Sequence, residues 1–457
     1  MKLLNIQAVL LLLALASVAG GCKDFLEVKP DKKLVVPLTL QDCQALLDNF
    51  AVVNNNDPGS GEVSADDYFL SDADFNSISQ EDQRRMYTWQ KEGLFPGDRN
   101  DWSNTYRVVF TANTVFKTLA NSPIIAVADP EYRNVKGQAH FIRGKSFFLA
   151  LSLWSQAYDP SGAETALGIP IRLGDDFNEA SVRASVADSY GQVLSDLKAA
   201  AALLPAHAIH PMRPSKAAAF AMLARVSLAM REYAKAALYA DSCLQINDDL
   251  LDFNTLNIAA NYPFARFNSE VIYESMIPVP VAVSTSRAKI MPGLYESYHD
   301  NDLRKVLFFR INPDGSYRFK GNYEGAGNLF GGLATDEVYL VRAEGYIRTG
   351  EVAAGIADIN TLLESRFKKL NGQNTYVPYE LMDPEPALEL VLLERRKELL
   401  MRGLRWIDLK RLNAEGAGIN LQRTVNGNSY SLPANDNRYA MELPQTLLQV
   451  SGLVQNP

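Results

Sequence analysis

The chain has 457 residues and a formal net charge of −8, with 45 basic side chains against 53 acidic ones. That balance repels nucleic acid and gives no attraction to anionic lipid. A chain of this length buries roughly 70–75% of its unfolded surface, so neither a disulfide nor a metal is required to hold it folded.

The first segment has the form of an export signal. Lys2 is the only charge before Cys22, Ala8 to Val18 is almost wholly apolar, and Ala19, Gly20 and Gly21 are the small residues a cleavage site needs. The apolar run is too short to span a bilayer. Cys22 falls where a bacterial signal peptidase leaves a lipidated first residue. Residues 1–21 are therefore assigned as a lipoprotein signal peptide, whose loss moves the charge from −8 to −9. Acyl chains on Cys22 would then hold the mature chain at a membrane surface. No later segment stays apolar for the roughly 18 residues at which a spanning helix begins.

Helical periodicity dominates the mature chain. Thr39 and Asp42 have capping-box spacing, with Leu40, Cys43, Leu46, Leu47 and Phe50 along one stripe. Asn54 to Asp82, rich in Asn, Asp, Ser and Gly, reads as loop within an N-terminal segment of residues 22–100. A helical repeat scaffold is expected over 101–250. Trp102, Tyr106, Val109, Phe110 and Phe116 mark one helix, and Phe147, Leu151, Trp154 and Tyr158 mark another. A second capping box, Ser185 with Asp188, opens a third, whose apolar face runs from Tyr190 to Leu204 until Pro205 stops it.

After Pro214, Phe220, Leu223, Ala224, Tyr233, Ala236, Ala240 and Cys243 alternate large and small as in a tetratricopeptide hairpin. Tyr339, Ala343, Tyr346, Gly350, Ile359 and Leu362 suggest a second hairpin. Such hairpins cannot bury their faces alone, so helices at 102–119, 138–158 and 186–204 are expected to complete the stack. Cys43 and Cys243 sit at apolar helical positions and are read as unpaired, buried hydrophobes.

Residues 251–333 break the rhythm with Pro263, Pro278, Pro280, Pro292, Pro313 and the glycines between Gly321 and Gly332. They read as an irregular insert, with Val271–Glu274 and Tyr317–Phe319 its best strands. Residues 334–457 carry the second hairpin, a long helix through Leu388 to Leu400, a turn at Gly403, a helical piece to Leu412 and a proline-punctuated tail. The expected fold class is mostly α: a tetratricopeptide-like hairpin stack with a loop-rich insert containing short strands.

The block Glu394–Leu399 (ERRKEL) followed by Gly403–Arg411 (GLRWIDLKR) resembles the SusD/RagB family of nutrient-binding outer-membrane lipoproteins. The same resemblance covers Glu337–Gly350 (EVYLVRAEGYIRTG), Asp358–Leu363, Arg213–Met230, Asp302–Arg304, and Leu443 and Pro444 with the closing Gln455–Pro457. It implies a surface-exposed binding protein on the outer leaflet, acting as the lid of a TonB-dependent SusC-like barrel and capturing an oligosaccharide or similar nutrient. A peptide ligand on the same scaffold is the alternative within that class. The charges of Glu394–Arg411 themselves read as an internal lattice, since Glu394 and Glu398 lie one helical turn apart beside Arg395 and Arg396.

Enzyme signatures fail one by one. Gly144-Lys145-Ser146 lacks the earlier glycine of a phosphate loop, where Ala139 stands. Asp72, Asp74 and Asn76 have the first spacings of a calcium loop, but Ser77 and Gln83 occupy the positions that need Gly and Glu. His207 and His210 have no Cys or third His nearby for zinc. No catalytic residue, cofactor or metal is expected, which argues against a surface hydrolase. A scaffold that binds only protein is the remaining contrast.

Sugar rings stack their C–H faces on aromatics and offer hydroxyls to amides and charged groups. The tryptophans all fall in core or framework patterns. Ligand contacts are therefore sought in the irregular segments, at Tyr68, Phe69 and Asn76 and, within the insert, at Tyr262, Phe264, Phe267 and Asn268.

Overall fold

The computed structural model describes residues 37–121, 129–176 and 178–457. Cys22 and its leader lie outside the described residues. The first capping box forms as its spacing predicts: Thr39 Oγ1 accepts from the Asp42 amide and the Asp42 carboxylate accepts from the Thr39 amide, opening α1 (Leu40–Leu47). Phe50 does not continue that helix but starts a separate turn, α2 (Phe50–Val53).

Asn54–Asp82 is not the loop its composition suggests. It holds α3 (Ser60–Ser64), β1 (Tyr68–Phe69), α4 (Asp72–Asn76) and the start of α5 (Glu81–Tyr87). The polar side chains are internal anchors. Asn54 Nδ2, for example, donates to the Glu274 carbonyl at 2.7 Å and the Met212 carbonyl at 3.1 Å, which satisfies a buried amide that composition alone places in solvent.

The scaffold begins with α6 (Asp101–Asn121) on α7 (Pro130–Trp154). Gly144–Ser146 lie inside α7, where Lys145 is buried and pairs with Asp57 at 2.5 Å. A short hairpin of β2 (Leu167–Pro170) and β3 (Arg183–Ser185) leads into α8 (Val186–Leu203). Ser185 Oγ caps α8 by accepting from the Asp188 amide, but the box is not reciprocal, because the Asp188 carboxylate takes the Ser185 hydroxyl instead of its amide. α9 (Lys216–Ala229) and α10 (Tyr233–Leu244) form the first hairpin.

The insert comes next in the chain. Its strands are β4 (Val271–Tyr273), β5 (Met276–Ile277), β6 (Lys289–Ile290), β7 (Phe309–Ile311), β8 (Tyr317–Phe319), β9 (Leu329–Phe330) and β10 (Leu333–Ala334), with short helices α11 (Pro292–Glu296) and α12 (Arg304–Leu307). Every pairing is two-stranded and antiparallel: β1 with β6, β4 with β10, β5 with β9 and β7 with β8.

The second hairpin is α13 (Thr335–Arg348) and α14 (Val352–Glu364). It packs directly on the first through α10 and α13, although the insert separates them in sequence. A β-carbon on Gly345 would lie 2.8 Å from both the Ala237 Cβ and the Tyr233 carbonyl, so a glycine there lets α13 approach α10. The two-strand β11 (Lys369–Leu370) and β12 (Gln373–Asn374) precede α15 (Pro384–Glu398), which lies against α13, and α16 (Arg405–Asn413) comes after it. The tail contains a feature the proline count hides: a hairpin of β13 (Leu421–Val425) and β14 (Asn428–Leu432), then α17 (Gln445–Ser451).

The expected stack is therefore present, in the order α6 to α10 and then α13 and α14, and Thr39–Pro457 form one compact unit. Cys43 and Cys243 are free and buried, as their helical positions imply. The charge lattice exists too, with partners drawn from far along the chain. Arg304 pairs with Asp302, Glu394 and Glu398, Arg366 with Glu270 and Glu398, and Arg411 with Glu344 and Asp408. Glu270, Asp336 and Glu398 converge closely enough to ligate a cation, but Arg366, Arg402 and Arg304 already supply the positive charge between them.

Candidate functional site

β1 pairs with β6 so that Tyr68 lies opposite Ile290 and Phe69 opposite Lys289, which sets the start of α11 beside β1. The β13–β14 hairpin closes the other side. Its turn is Asn426-Gly427, at φ of +51° and +74°, the paired left-handed conformation that a two-residue hairpin turn needs and that Asn-Gly tolerates best. Alternation along β13 then buries Leu421, Arg423 and Val425 and exposes Gln422 and Thr424.

Between these elements lies a cavity of about 720 Å³. Tyr68, Phe69 and Leu70 come from β1 and its exit, Tyr87 and Trp89 from α5 and the turn after it, and Met291–Leu294 from the start of α11. Asn420–Thr424 close it from β13, with Asp66 and Arg396 at the charged end. The polar ends of the deepest aromatics are engaged inward. Tyr68 Oη donates to the Val63 carbonyl at 2.8 Å, Trp89 Nε1 to the Ser64 carbonyl at 2.9 Å, and Tyr87 Oη accepts from the Leu70 amide at 2.8 Å. Their rings are almost fully buried and back the cavity wall without presenting open surface. Half-buried Phe69 and the more exposed Met291 extend that apolar wall, while Gln422 and Thr424 add an amide and a hydroxyl at the rim.

Arg423 sits among the aromatics. Its guanidinium carbon is 3.8 Å from the Tyr87 ring centre, 4.6 Å from Trp89 and 5.3 Å from Tyr68. Its N–H groups donate to the carbonyls of Val63, Ala65 and Tyr87. At the charged end, Arg396 and Arg405 both donate to Asp66, and Arg396 also to Asp67 at 2.7 Å. Burial works to raise the Asp66 carboxyl, but the Arg405 and Arg396 guanidiniums overcome it and hold the group down at about 2. Burial wins at neighbouring Asp67, which is raised despite Arg396.

The structure brings Tyr68 and Phe69 together at this cavity and leaves the other expected contacts elsewhere. Asn76 is exposed and exchanges amide hydrogen bonds with Asn426, so it braces the hairpin turn without reaching the cavity. Tyr262 is exposed in the insert. Phe264 is 1% exposed and packs on Phe253, Phe308 and Tyr323, which makes it part of the core. Phe267 lies edge-on to His210 and beneath Arg266, and Asn268 accepts from the Glu270 amide to hold its own turn. Trp89 is 4% exposed and belongs to the core, as the framework reading has it, and backs the cavity, while Gln422, Arg423 and Thr424 line it from the tail. The signal for the latter was available in Asn426-Gly427 flanked by alternating residues.

A second hollow of about 410 Å³, more polar, lies between the α5–α6 connection and Pro278 and Pro280, with Arg99, Asn100 and Asp101 in its wall. Asp101 accepts there from the amide and hydroxyl of Ser60.

Residues 24–228 match a SusD-like family model described as starch-binding associating with outer membrane. Among solved structures, the chain is similar to a SusD superfamily protein from Bacteroides thetaiotaomicron, at 21% identity and a TM-score of 0.71 over 92% of this chain and 100% of that one. It is also similar to a putative sugar binding protein from Bacteroides vulgatus, at 19% identity and a TM-score of 0.73 over 93% and 99% of the two chains. A laminarin binding SusD-like protein aligns at 16% identity, with a TM-score of 0.65 over 91% of this chain and 97% of the other. No curated protein matches the sequence.

Proposed function

We propose that the chain is a SusD/RagB-family protein, a cell-surface glycan-binding lipoprotein anchored through acylated Cys22 to the outer membrane and working as the lid of a TonB-dependent SusC-like barrel; the SusD-like family match over residues 24–228 supports this reading. The observation that carries the glycan reading is the cavity with Phe69 and Met291 on one side, backed by the buried rings of Tyr68, Tyr87 and Trp89, and Gln422 and Thr424 on the other. It offers the two things a saccharide asks for, flat carbon surface and adaptable hydrogen-bonding groups. The protein would hold its ligand without altering it. Capture and transfer then rest on affinity, and a ligand favours a closed lid only as far as it binds the closed state better than the open one.

No helix among the described residues is long and apolar enough to cross a membrane; in this reading the acyl chains on Cys22 are the anchor. The N-terminal segment, the insert and the C-terminal hairpin each contribute a wall to the cavity, so in this reading the ligand would touch all three. A screen of the purified mature chain against glycans and peptides, with analysis of the recovered ligands, tests the proposal. Binding of a glycan recovered intact supports it; a chemically altered ligand, or binding of peptides alone, overturns it. Co-purification of a β-barrel with the lipidated protein from native outer membranes tests the lid.

A further inference from the structure

Among the described residues, the charges around the cavity do not cancel. Asp66 and Asp67 are matched by Arg396 and Arg405. Arg423 is left over: it is 7% exposed, its hydrogen-bond partners are neutral backbone carbonyls, and its remaining neighbours are aromatic rings. Glu62, the other buried acid near this end, is pushed up to about 8, by burial first and then by the Asp67 charge, so at neutral pH it contributes little negative charge. A guanidinium kept out of water without a carboxylate is expensive unless something compensates it. Carbonyl dipoles and ring faces do part of that work and leave the net positive charge at the wall.

The protein as a whole carries −8, so the uncompensated charge at this wall is opposite in sign to the chain's total. Arg396, 28% exposed in its side chain, is the second cation on the lining and the one within reach of solvent. The carboxylates it faces, Asp66 and Asp67, have only that guanidinium and Arg405 as salt-bridge partners.

We propose that the cavity selects an acidic saccharide, a glycan bearing uronic-acid carboxylates, over its neutral counterpart, with the excess positive charge of Arg423 as the source of the preference and the partly exposed Arg396 beside it on the lining. This rests on the glycan reading of the cavity and adds the ligand's charge to it. A uronate supplies the missing counter-charge and still presents ring faces to Phe69 and Met291.

The test compares short galacturonic-, glucuronic- and mannuronic-acid oligomers with their methyl esters, which keep the shape and remove the charge, by titration calorimetry on the purified mature chain. A set of neutral glucans, galactans and mannans is measured alongside. The expected result is that at least one acid binds roughly tenfold or more tightly than its ester, a difference that shrinks as salt is added. Substitutions at exposed Gln422 move that ratio without disturbing the core: Gln422→Glu lowers the acid-to-ester ratio and Gln422→Lys raises it. Neutral glycans bound in preference to every acid, or a ratio indifferent to both Gln422 substitutions, would overturn the charge preference and leave the glycan reading standing. Failure of every glycan, acidic and neutral, would remove both.

Discussion

Arg225 on α9 grips Glu337 on α13 through two parallel hydrogen bonds, Nε to Oε1 at 2.8 Å and Nη2 to Oε2 at 2.6 Å, with both side chains almost fully buried. Nη2 also donates to the Gly332 carbonyl at 2.6 Å, at the end of the insert. One guanidinium thus ties the first hairpin to the second and to the segment between them. Arg225→Met leaves a buried carboxylate without its partner and should cost about 3–5 kcal/mol of stability. The double substitution Arg225→Met with Glu337→Leu removes the stranded charge and should recover a large part of that loss. Urea unfolding midpoints of the three proteins check both statements.

Glu62 offers a pH test with a defined sign. It is 1% exposed, its Oε2 accepts from the Gly403 amide at 2.8 Å, and its Oε1 has no hydrogen-bond partner among the described residues. Burial, aided by Asp67, raises its pKa from 4.5 to about 8. Between those values the folded state holds a proton that the unfolded state has released, so this group's contribution to stability is whole below about 4.5 and is lost as pH rises toward about 8. Glu62→Gln keeps an acceptor for Gly403 and removes the titration. The variant should gain on the parent by a few kcal/mol, on the order of 3, between about pH 5 and about pH 8.5. Chemical denaturation at the two pH values measures the change; equal differences at both would contradict the assignment.

Gly345 marks where the two hairpins come closest. Ala237 and Tyr233 leave no room for a side chain at that point, so Gly345→Val should push α13 off α10 and cost about 1–3 kcal/mol by overpacking. A fall in thermal midpoint with retained helical circular dichroism is the expected signature.

The scaffold was legible in the sequence because helices report themselves through local spacing. The stripes at Trp102–Phe116 and Tyr190–Leu204 and both hairpins recur in the structure within a few residues. What local spacing does not carry is the destination of a polar side chain. Asn54 and Asp57 have loop composition, yet each is buried against residues more than eighty positions away. The candidate site suffered most from this, since it is assembled from five stretches between Asp66 and Thr424. Phe264 shows the converse: an aromatic in an irregular segment is as available to a core as to a ligand, and here Phe253 and Phe308 claim it.

Lipid anchoring is tested by Cys22→Ala. Ala19-Gly20-Gly21 precede that cysteine, and in the proposed reading acyl chains on it supply the membrane affinity. The variant should be lost from the membrane fraction and recovered in the soluble fraction, with its fold intact. Retention in the membrane at parental levels would mean that another contact holds the protein there.

Phe69 gives the most direct probe of the cavity. Its ring is half-buried at the wall and belongs to the two-residue strand β1, whose register is fixed by Ile290 and Lys289, so truncation removes ligand surface without opening the core. Losing one stacking face should weaken a bound glycan about five- to tenfold, or roughly 1–1.4 kcal/mol, with little change in thermal midpoint. Arg99→Ala, in the separate polar hollow beside Asp101, serves as the comparison. Glycan titrations of Phe69→Ala and Arg99→Ala against the parent decide between the two hollows. A loss confined to Phe69→Ala locates the ligand against β1 and β13, whereas a loss confined to Arg99→Ala moves it to the α5–α6 connection and leaves the aromatic cavity without that role.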